Sequence, residues 1–559
     1  MITSKAAISG LQSAVFLKLL AVMALILWQM GCASPDRETN RNGRGFGDDP
    51  QTCLQALNDD SGFSEECDRA RTGRRVPGRR DFDSDSDRVF VKAGATAGGT
   101  GSFAAPLNSL EAVEANSAPG DVICILPSNG TLDGGIVLKD GQALIGAGND
   151  PFEVDASQAN VRITNSSLLT NDGHGVLLAN NNRVAGIHVV SPQGSGIFGR
   201  NSSGAEIRHV LVTAPNASNG HHTDVFGLFG ETTHSGIFLL NQTTDGNHCL
   251  SHVRIMGENP WGINVTVNDG HTVNAVMDRL DFRGAVAGVA GSKGFFHFGT
   301  AASDLLLFAR GPGSLLDATI DHSTFDAGLA SHNRVVQSSS EDGESNVTVD
   351  HTYMGEGGNN GWLQTDLDGK GIMRGVLRNS IIENVSDGIE TFPIDLRHLA
   401  HPTYLDRGTG PSEYSFIVDS CLFQNNRRRD LQLTPAGDES AAPPATHDLN
   451  VSNSTIMNNG TRAMLFGNAG VGGTYRVDLG GGALGSEGNN RIFGHPQMAL
   501  ILGDIDVVAR NNWWGSPAGL DTSSPNVDLQ PGVDGTGSFD ASDYLTEDPL
   551  DDDEDSDEQ

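Results

Sequence analysis

The sequence predicts an all-β chain that winds into a parallel β-solenoid, with one short helix capping its first coil. The composition is the first observation. The chain has 71 glycines and 6% aromatic residues, and Asn, Ser, Asp and Gly separate many short apolar runs, as in turn-rich β structure. The second observation is a recurring pair of apolar anchors, and the third is that no helices separate the recurrences. Units this small cannot fold alone and must stack.

The anchors recur ten times. The first anchor is the apolar residue before a polar pair, and the second follows five positions later. We expect both anchors to lie in the core of every coil. The pairs are Val184/Val189, Ile207/Val212, Leu250/Ile255, Met277/Phe282, Ile320/Phe325, Val349/Met354, Leu377/Ile382, Val418/Phe423, Val451/Ile456 and Val508/Trp513.

The distance between successive first anchors varies. The spacings are 23, 43, 27, 43, 29, 28, 41, 33 and 57 residues. They fit single coils of about 21 to 33 residues, or doubled spacings that contain insertions or a coil without the clear pattern.

A short amphipathic helix is predicted within residues 106–120, ahead of the β repeats. Asn108 or Ser109 is its N-cap, and Leu107, Leu110 and Val113 share one face. A single helix before a long β array indicates a cap over the open end of the sheet.

The N-terminal segment predicts export. Residues 19–28 are ten apolar residues, too few for a stable membrane span and typical of a secretory signal. Gly31-Cys32 resembles the end of a bacterial lipobox, although Gln29 stands where the family usually has Leu. The resemblance implies a lipid on Cys32 and an outer-membrane or cell-surface address. Ordinary signal cleavage, giving a periplasmic or secreted protein, is the alternative.

Four segments follow from these patterns. Residues 1–31 are the signal peptide and residues 32–86 a polar tether with too little apolar area to order itself. Residues 87–545 form the repeat domain. Residues 546–559 are an acidic tail that self-repulsion keeps disordered.

The charge balance restricts the partners. The chain has 36 Lys+Arg against 70 Asp+Glu, a net charge of −34, which repels nucleic acid and anionic lipid. We therefore expect no nucleic-acid partner, membrane contact through the lipid anchor only, and a monomer.

Six cysteines in an exported chain raise the question of disulfides. Cys53 and Cys67 lie close together in a polar segment and are the candidate pair. Cys124, Cys249 and Cys421 lie in strand-like runs and are interpreted as small core residues.

Several motifs resemble a known family. The entry segment VFVKAG, the helix, and the strand-like DVICILP and GIVLKDGQALIGAG resemble the first coils of the right-handed parallel β-helix proteins of the pectate-lyase-like superfamily. ARNNWWGSPAG (509–519) is similar to a motif that often ends such repeats in bacterial surface proteins. The resemblance covers roughly residues 87–545 and implies a right-handed parallel β-helix. It leaves the activity open, since this fold hosts lyases, hydrolases and adhesins.

His322 and His351 lie two positions after their first anchors. This column resembles the asparagine ladders of β-helices, in which stacked polar side chains satisfy backbone groups at a corner. We therefore predict a structural role for both histidines. Asp321 and His322 are expected to point in different directions and not to act as a pair. The column reads Gly186, His209, His252, Arg279, His322, His351, Asn379, Ser420, Asn453 and Arg510.

Asp321 and Asp350 lie one position after their anchors. Adjacent coils are about 4.8 Å apart, where two carboxylates repel by about 1 kcal/mol even in water. Such a pair needs a cation, a shared proton or a neighbouring arginine, and Arg378 follows in the next coil. An exposed polar face with one fortuitous salt bridge is the alternative interpretation.

Asp, Asp and Arg on successive coils also resemble the site of pectate lyases. The resemblance implies that Asp321 and Asp350 bind Ca²⁺ and that Arg378 is the catalytic base. The chain departs from that family because its repeat domain has no Arg-x-Pro-x-x-Arg segment, and the coil of Asp278 is separated by a doubled spacing.

Two functional hypotheses remain. The main prediction is an exported, lipid-anchored cell-surface β-helix protein without catalysis, which binds carbohydrate or another surface ligand and needs no cofactor. The lack of a complete active-site motif favours it. The alternative is a Ca²⁺-dependent polysaccharide lyase, or a glycoside hydrolase, acting on an acidic polysaccharide.

Overall fold

The computed structural model describes thirteen stretches of the chain. They are residues 88–213, 235–256, 261–283, 303–326, 334–355, 362–368, 371–385, 387–393, 413–433, 446–467, 474–521, 526–530 and 537–550. Cys32, Cys53 and Cys67 lie outside these residues, so the predicted lipidation and the Cys53–Cys67 pairing remain predictions.

Two large sheets form the described part of the chain, a 23-stranded first sheet and a 13-stranded second sheet. The first sheet consists of β1 (Arg88–Val91), β2 (Val122–Ile125), β4 (Ala143–Gly146), β5 (Arg162–Ile163), β7 (Arg183–Ala185), β8 (His188–Val190), β10 (Ala205–Thr213), β12 (Gly246–Met256), β14 (Thr272–Arg283), β16 (Leu315–Asp321), β17 (Thr324–Asp326), β19 (Glu344–Asp350), β20 (Tyr353–Gly355), β22 (Ile372–Arg378), β23 (Ile381–Glu383), β25 (Glu413–Asp419), β26 (Leu422–Gln424), β28 (Thr446–Ser452), β29 (Thr455–Met457), β31 (Thr474–Gly480), β32 (Arg491–Phe493), β34 (Asp506–Ala509) and β36 (Ser538–Asp540). The second sheet consists of β3 (Ile136–Val137), β6 (Val176–Leu178), β9 (Ile197–Arg200), β11 (Ser235–Asn241), β13 (Trp261–Asn268), β15 (Ser303–Arg310), β18 (Arg334–Glu341), β21 (Trp362–Asp368), β24 (Asp387–Pro393), β27 (Arg429–Leu433), β30 (Arg462–Gly467), β33 (Gln497–Leu502) and β35 (Val527–Gln530).

From β2 onward, the coils pass through both sheets. A main strand such as β16 meets a short strand such as β17 at a corner of the first sheet, and a strand of the second sheet, here β18, follows. Successive coils pair in parallel: β16 with β19, β17 with β20, and β15 with β18. The chain is therefore a parallel β-helix, and the predicted fold class is confirmed.

The predicted anchors form the core in nine of the ten repeats. The first anchors from Val184 to Val451 are fully buried, and the second anchors from Val189 to Ile456 are at most 3% exposed. Aromatic anchors stack between coils, with the rings of Phe282 and Phe325 4.9 Å apart. Stacking of like residues on successive coils is what makes the core continuous.

The tenth repeat departs from the prediction by one position. Val508 is half-buried, whereas Val507 and Ala509 lie in the core. The ladder between β31 and β34 shifts register between Asp478 and Gly480, and this irregularity displaces the side chains that follow. Trp514, 6% exposed, replaces Trp513 as the last buried anchor.

The long spacings have two different origins. The 43-residue spacings are single coils, because Ile207 pairs directly with Leu250 and Met277 with Ile320. The 57-residue spacing does contain an extra coil, since β31 lies between β28 and β34. The inference that Asp278 lies a doubled spacing from Asp321 is therefore wrong.

The corner of each coil is built on one residue with a left-handed backbone. His322 has φ 46°, His351 44° and Asn379 49°. Only Gly, and to a lesser degree Asn, Asp and His, adopt this conformation readily. The predicted corner column is thus the left-handed column, which reads Gly186, His209, His252, Arg279, His322, His351, Asn379, Ser420 and Asn453, and Asn511 rather than Arg510 takes this role in the last coil.

The ladder that satisfies the backbone lies one position after the corner. Thr352 N donates to Ser380 Oγ at 3.1 Å, and Ser454 N donates to Asn490 Oδ1 at 2.9 Å. Cys421, a buried free thiol, occupies the same column, and its N–H donates to Ser454 Oγ at 3.1 Å. The prediction that His322 and His351 carry this ladder is therefore wrong, because the left-handed residue points outward and turns the next side chain inward.

The predicted capping helix is α1 (Leu110–Asn116). Ser109 is its N-cap, and its Oγ accepts a hydrogen bond from Ala112 N at 3.2 Å. Leu107, Leu110 and Val113 are buried in the main core cluster, so the helix covers the first coil. A 3₁₀ turn spans Asn171–Gly173. None of the helices in the described stretches is long and apolar enough to cross a membrane.

The C-terminal residues pack against the coil as far as the described part extends. Arg491 donates to both carboxylate oxygens of Asp548, at 2.6 and 2.7 Å. These hydrogen bonds hold the pKa of Asp548 below its usual value, against the effect of partial burial. Residues 546–550, assigned from the sequence to a disordered tail, therefore include a fixed carboxylate.

Cys124 and Cys249 differ from the prediction. Both are disulfide-bonded. Strand alternation gives the inward positions of β2 to Ile123 and Ile125, which leaves Cys124 on the outer face of the first sheet. Cys124 is nevertheless fully buried, in an apolar cluster separate from the main core, whereas Cys249 is only partly buried. The interpretation as a small core residue is therefore wrong for Cys249, while Cys421 is buried as expected.

Candidate active site

The acidic column is aligned by the strand register. Asp278 pairs with Asp321, Asp321 with Asp350, and Asp350 with Arg378. Three carboxylates and one guanidinium thus stand on four successive coils along one edge of the first sheet. We call Asp278, Asp321, Asp350, Arg378 and the histidines His322 and His351 the corner row.

Each histidine of the corner row contacts the aspartate that precedes it. His322 Nδ1 is 2.9 Å from Asp321 Oδ1, and His351 Nδ1 is 2.9 Å from Asp350 Oδ1. The expectation that Asp and His point apart is therefore wrong. The left-handed backbone at the histidine swings its ring back over the preceding carboxylate, which sequence alternation alone does not show.

The histidines also approach the aspartate of the preceding coil. His351 Nδ1 is 3.6 Å from Asp321 Oδ1, and His322 Nδ1 is 3.8 Å from Asp278 Oδ1. The two imidazole rings stack 4.9 Å apart at an interplanar angle of 7°. Carboxylates and imidazoles therefore alternate along the row, which relieves the repulsion between neighbouring acids.

Asp350 is the most strongly held carboxylate of the row. Arg378 Nε donates to its Oδ2 at 2.6 Å, and Asn379 Nδ2 donates to its Oδ1 at 2.9 Å. Partial burial acts to raise the pKa of Asp350, but these two hydrogen bonds and the charges of Arg378 and His351 outweigh it and lower the pKa below its usual value. Asp350 is accordingly ionised at neutral pH.

The contacts of Arg378 give it a different role from the one that the lyase resemblance implies. A guanidinium that donates a short hydrogen bond to a carboxylate keeps its proton and does not act as a base. Arg378 instead fixes the orientation and charge of Asp350. Its side chain is half exposed and that of Asp350 is 11% exposed, so the pair can meet a ligand from solvent.

The geometry also bears on the predicted Ca²⁺ site. Ca²⁺ takes six to eight oxygen ligands, whereas His351 Nδ1 lies between Asp321 and Asp350. Among the described residues, the ligand atoms of Asp321, His322 and His351 lie within 4.8 Å of one another. A set of one oxygen and two nitrogen ligands suits a transition metal such as Zn²⁺ better than Ca²⁺.

A second imidazole stack lies on earlier coils and is less accessible. His209 and His252 stack 4.5 Å apart, with Phe152 edge-on to His252 at 5.2 Å. Asp150 Oδ2 is 2.6 Å from His209 Nδ1. His252 is only 7% exposed, while the side chains of His322 and His351 are 54% and 51% exposed. The open part of the corner is therefore the stretch from Asp321 to Arg378.

Sequence reasoning missed Asn379 as a partner of Asp350 and the bridging position of His351. The signal was present, because a charged residue followed by His or Asn recurs at the corner in Asp321-His322, Asp350-His351 and Arg378-Asn379. Recognising that the second residue of each pair has a left-handed backbone would have placed its side chain beside an aspartate of the same or the preceding coil.

Comparison with known proteins finds similarity among solved structures alone. No family model matches the chain, and no curated protein matches it. One similar structure is the catalytic domain of a GH87 α-1,3-glucanase in complex with nigerose. It is 12% identical, with a TM-score of 0.35, covering 84% of this chain and 71% of that one. An aspartate-to-alanine variant of that domain in complex with tetrasaccharides gives a TM-score of 0.37 at the same identity and coverage.

These neighbours are catalytic domains of glycoside hydrolases and not the non-catalytic surface proteins of the main prediction. At 12% identity and TM-scores of 0.35 and 0.37, this likeness carries no conclusion about the activity of this chain. An overlap of this extent reflects the coiled β architecture, and an activity for this chain has to be argued from its own residues.

Proposed function

We propose that the protein is a glycoside hydrolase that cleaves a polysaccharide with the carboxyl groups of Asp321 and Asp350. One observation carries the proposal. His351 Nδ1 lies 3.6 Å from Asp321 Oδ1 and 2.9 Å from Asp350 Oδ1, so these oxygens are at most 6.5 Å apart, the sum of the two distances. Glycosidases use two carboxyl groups about 5 to 9.5 Å apart on either side of the scissile bond.

The two carboxyl groups have different surroundings, as this chemistry requires. Asp350 is kept ionised by Arg378 and Asn379, which suits the carboxylate that attacks the sugar or activates water. Asp321 makes no such contact with arginine and lies between His322 and His351. We assign it the delivery of a proton to the leaving oxygen, and Arg378 is a positioning residue.

The charge of the chain favours a neutral substrate. A net charge of −34 repels a polyuronate, whereas a neutral glucan meets no such barrier and offers hydroxyl donors to the exposed carboxylates. Nigerose and tetrasaccharides are ligands of the GH87 domains described above, which makes α-1,3-glucan a practical first substrate to assay.

The decisive experiment incubates the purified protein with a panel of neutral and acidic polysaccharides. Hydrolysis releases new reducing ends without ultraviolet absorbance, whereas a lyase forms unsaturated, absorbing products. We expect Asp350→Asn and Asp321→Asn each to lower hydrolysis by at least about 100-fold. Asp419→Asn is the matched control, since Asp419 belongs to the same column one coil beyond Arg378. Absence of turnover on the whole panel, or full activity of Asp350→Asn, would overturn the proposal.

We also propose that the enzyme is exported and anchored by a lipid on Cys32. The disulfide bonds of Cys124 and Cys249 support an oxidising compartment. Cys32→Ala should move the protein from the membrane fraction to the soluble fraction, and Cys421→Ala should leave it in place. Unchanged fractionation of Cys32→Ala would contradict the anchor.

A further inference from the structure

We infer that a wall closes one end of the corner row, so that the enzyme binds the end of a polysaccharide chain and removes short products of uniform length from it. The wall consists of Arg279 and of residues 149–160, a loop between β4 and β5 that we call the strap. The inference rests on the glycoside hydrolase activity proposed above and adds how the substrate is held at the same site.

The strap lies on coils that come later in the chain. Asp150 Oδ2 is 2.6 Å from His209 Nδ1 on β10. Phe152 packs edge-on against His252 on β12, with 5.2 Å between ring centroids, and the guanidinium carbon of Arg254 lies 5.0 Å from the centre of the Phe152 ring. Because β4, β7, β10 and β12 are successive neighbours in the first sheet, the strap reaches forward by three coils.

Arg254 ties the strap to the coil on which the corner row begins. Its Nη1 donates to Val154 O at 3.4 Å, and its Nε donates to Asp281 Oδ2 at 2.7 Å. Asp281 lies on β14, the strand that also carries Asp278. The side chains of Arg254 and Asp281 are 12% and 8% exposed, and solvent and salt screen such a pair only weakly. The strap therefore meets the corner row at a fixed place.

The accessible part of the corner begins directly beyond the strap. His252, in contact with Phe152, is 7% exposed, whereas the side chain of Arg279 on the next coil is 46% exposed. The imidazoles of His322 and His351 on the following coils are half exposed. A polysaccharide chain that lies along these residues would meet the strap at His252 and could not continue past it.

Arg279 lies at the foot of the wall and has a strained backbone. Its φ is 51°, in the left-handed region that long side chains rarely adopt, and such strain is found mainly at functional sites. Its Nη1 is 3.2 Å from His252 Nε2 and 3.5 Å from Asp278 Oδ2. A chain end presents a hydroxyl group that internal units use in a linkage, and the guanidinium, with its five N–H donors, can donate to it.

The distance from the wall to the proposed cleavage point limits the size of the product. The strands β12, β14 and β16 are successive neighbours, so two ladder steps of about 4.8 Å, roughly 10 Å in all, separate His252 from Asp321. Only a short stretch of sugar units fits there. In each turnover the glycosidic C–O bond breaks, and water supplies the hydroxyl of the new reducing end. Asp321 gives a proton to the leaving oxygen and regains one from that water.

The size distribution of the products tests the inference. The full-length protein is incubated with a soluble neutral glucan of the panel that it hydrolyses, and the release of reducing ends is compared with the mean mass of the remaining polymer. We expect short products of one length from the start, while the polymer mass falls slowly. A rapid fall in polymer mass with products of mixed length would overturn the inference and leave the hydrolase assignment intact, whereas no turnover on the whole panel would remove both.

Weakening the wall should change the product length. Phe152→Ala removes the ring that contacts His252, so longer products should appear beside the short one. Glu153→Gln, at an exposed position of the strap, is the matched control and should keep the wild-type product. Identical products from Phe152→Ala and from the control would rule out the strap as the wall.

Arg279→Asn distinguishes substrate binding from folding. Asn tolerates the left-handed backbone, so urea unfolding should show this variant to be at least as stable as the wild type. Loss of a charge-assisted hydrogen bond to the chain end should raise KM at least about tenfold, with kcat little changed. Arg476→Asn is the matched control, because Arg476 is 48% exposed and pairs with Asp448, outside the corner row. An unchanged KM in Arg279→Asn would show that Arg279 does not bind the chain end.

Discussion

Arg378 Nε lies 2.6 Å from Asp350 Oδ2, across two adjacent coils that the strand register aligns residue for residue. This contact gives the two neighbouring carboxyl groups of the acidic column, Asp350 and Asp321, different electrostatic environments. Asp350 is fixed as an anion at one end, while Asp321 remains between two histidines.

Removing the arginine should shift the pH dependence of the enzyme. Asp350 has a lowered pKa and must be ionised to act. In Arg378→Gln its pKa rises towards the usual value, so the acidic limb of the pH profile of kcat/KM should move to higher pH. Arg374→Gln is the control, because Arg374 lies on the same strand, is similarly exposed and pairs with Glu344 instead. An unmoved acidic limb would show that Arg378 does not act on Asp350.

Two substitutions of His351 should distinguish its effect on catalysis from its effect on folding stability. Asn tolerates the left-handed backbone, so His351→Asn should fold normally yet lower activity, because the link between Asp321 and Asp350 is lost. His351→Val should cost about 1 to 2 kcal/mol of folding free energy at the same φ. Urea unfolding of both variants beside their kinetics distinguishes the effects. Equal stability of the two would contradict the strain argument.

Metal ions should inhibit rather than activate. The Asp321, His322 and His351 ligand set suits Zn²⁺ and not Ca²⁺, and Zn²⁺ bound there would neutralise the carboxyl group that must deliver a proton. A chelator should leave activity unchanged, and added Zn²⁺ should lower it. His322→Asn should weaken the Zn²⁺ inhibition. Activity that depends on Ca²⁺ after chelation would contradict this prediction and restore the Ca²⁺ site.

Acid should destabilise the fold through buried histidines. Burial lowers the pKa of His248 and of His447 from 6.5 to about 4. Between pH 6.5 and 4 the unfolded chain binds protons that the folded chain does not, so the free energy of unfolding falls as the pH drops through this range, by roughly 1 kcal/mol per pH unit for each group. His447 stacks against Tyr475 at 4.7 Å, and His447→Phe should make the unfolding free energy less dependent on pH in this range. An unchanged slope would contradict the assignment.

The hydrogen-bond ladder that lies one position after the corner should contribute measurably to the free energy of unfolding. Ser454 Oγ accepts from Cys421 N and donates to Ser452 O at 2.7 Å. Ser454→Ala leaves a buried N–H without its acceptor, which should cost about 1 to 3 kcal/mol in urea unfolding. Ser415→Ala, at a half-buried position of β25, is the control. A loss no greater than that of the control would show that the ladder is not important for stability.

The β-helix could be predicted because its core is periodic. The two anchor positions, occupied by Ile320 and Phe325 in one coil, recur at the same place in the other coils. Stacking of neighbouring coils favours the same residue type at each recurrence. The prediction failed at Val508, where a register shift between β31 and β34 displaced the pattern. It also failed for the 43-residue spacings, because sequence distance does not show whether a coil has a long connection or a neighbour has been skipped.

The sequence by itself determined the parallel β-helix, the capping helix, and the column that brings Asp321, Asp350 and Arg378 together. These features follow from local periodicity and from strand alternation. Only the tertiary structure decided that His351 lies between Asp321 and Asp350, that Arg378 is a partner and not a base, and that Cys124 is buried in a cluster separate from the main core. The reason is physical: a single left-handed residue at each corner sets the direction of the side chains beside it, and only the stacking of neighbouring coils shows which atoms then meet.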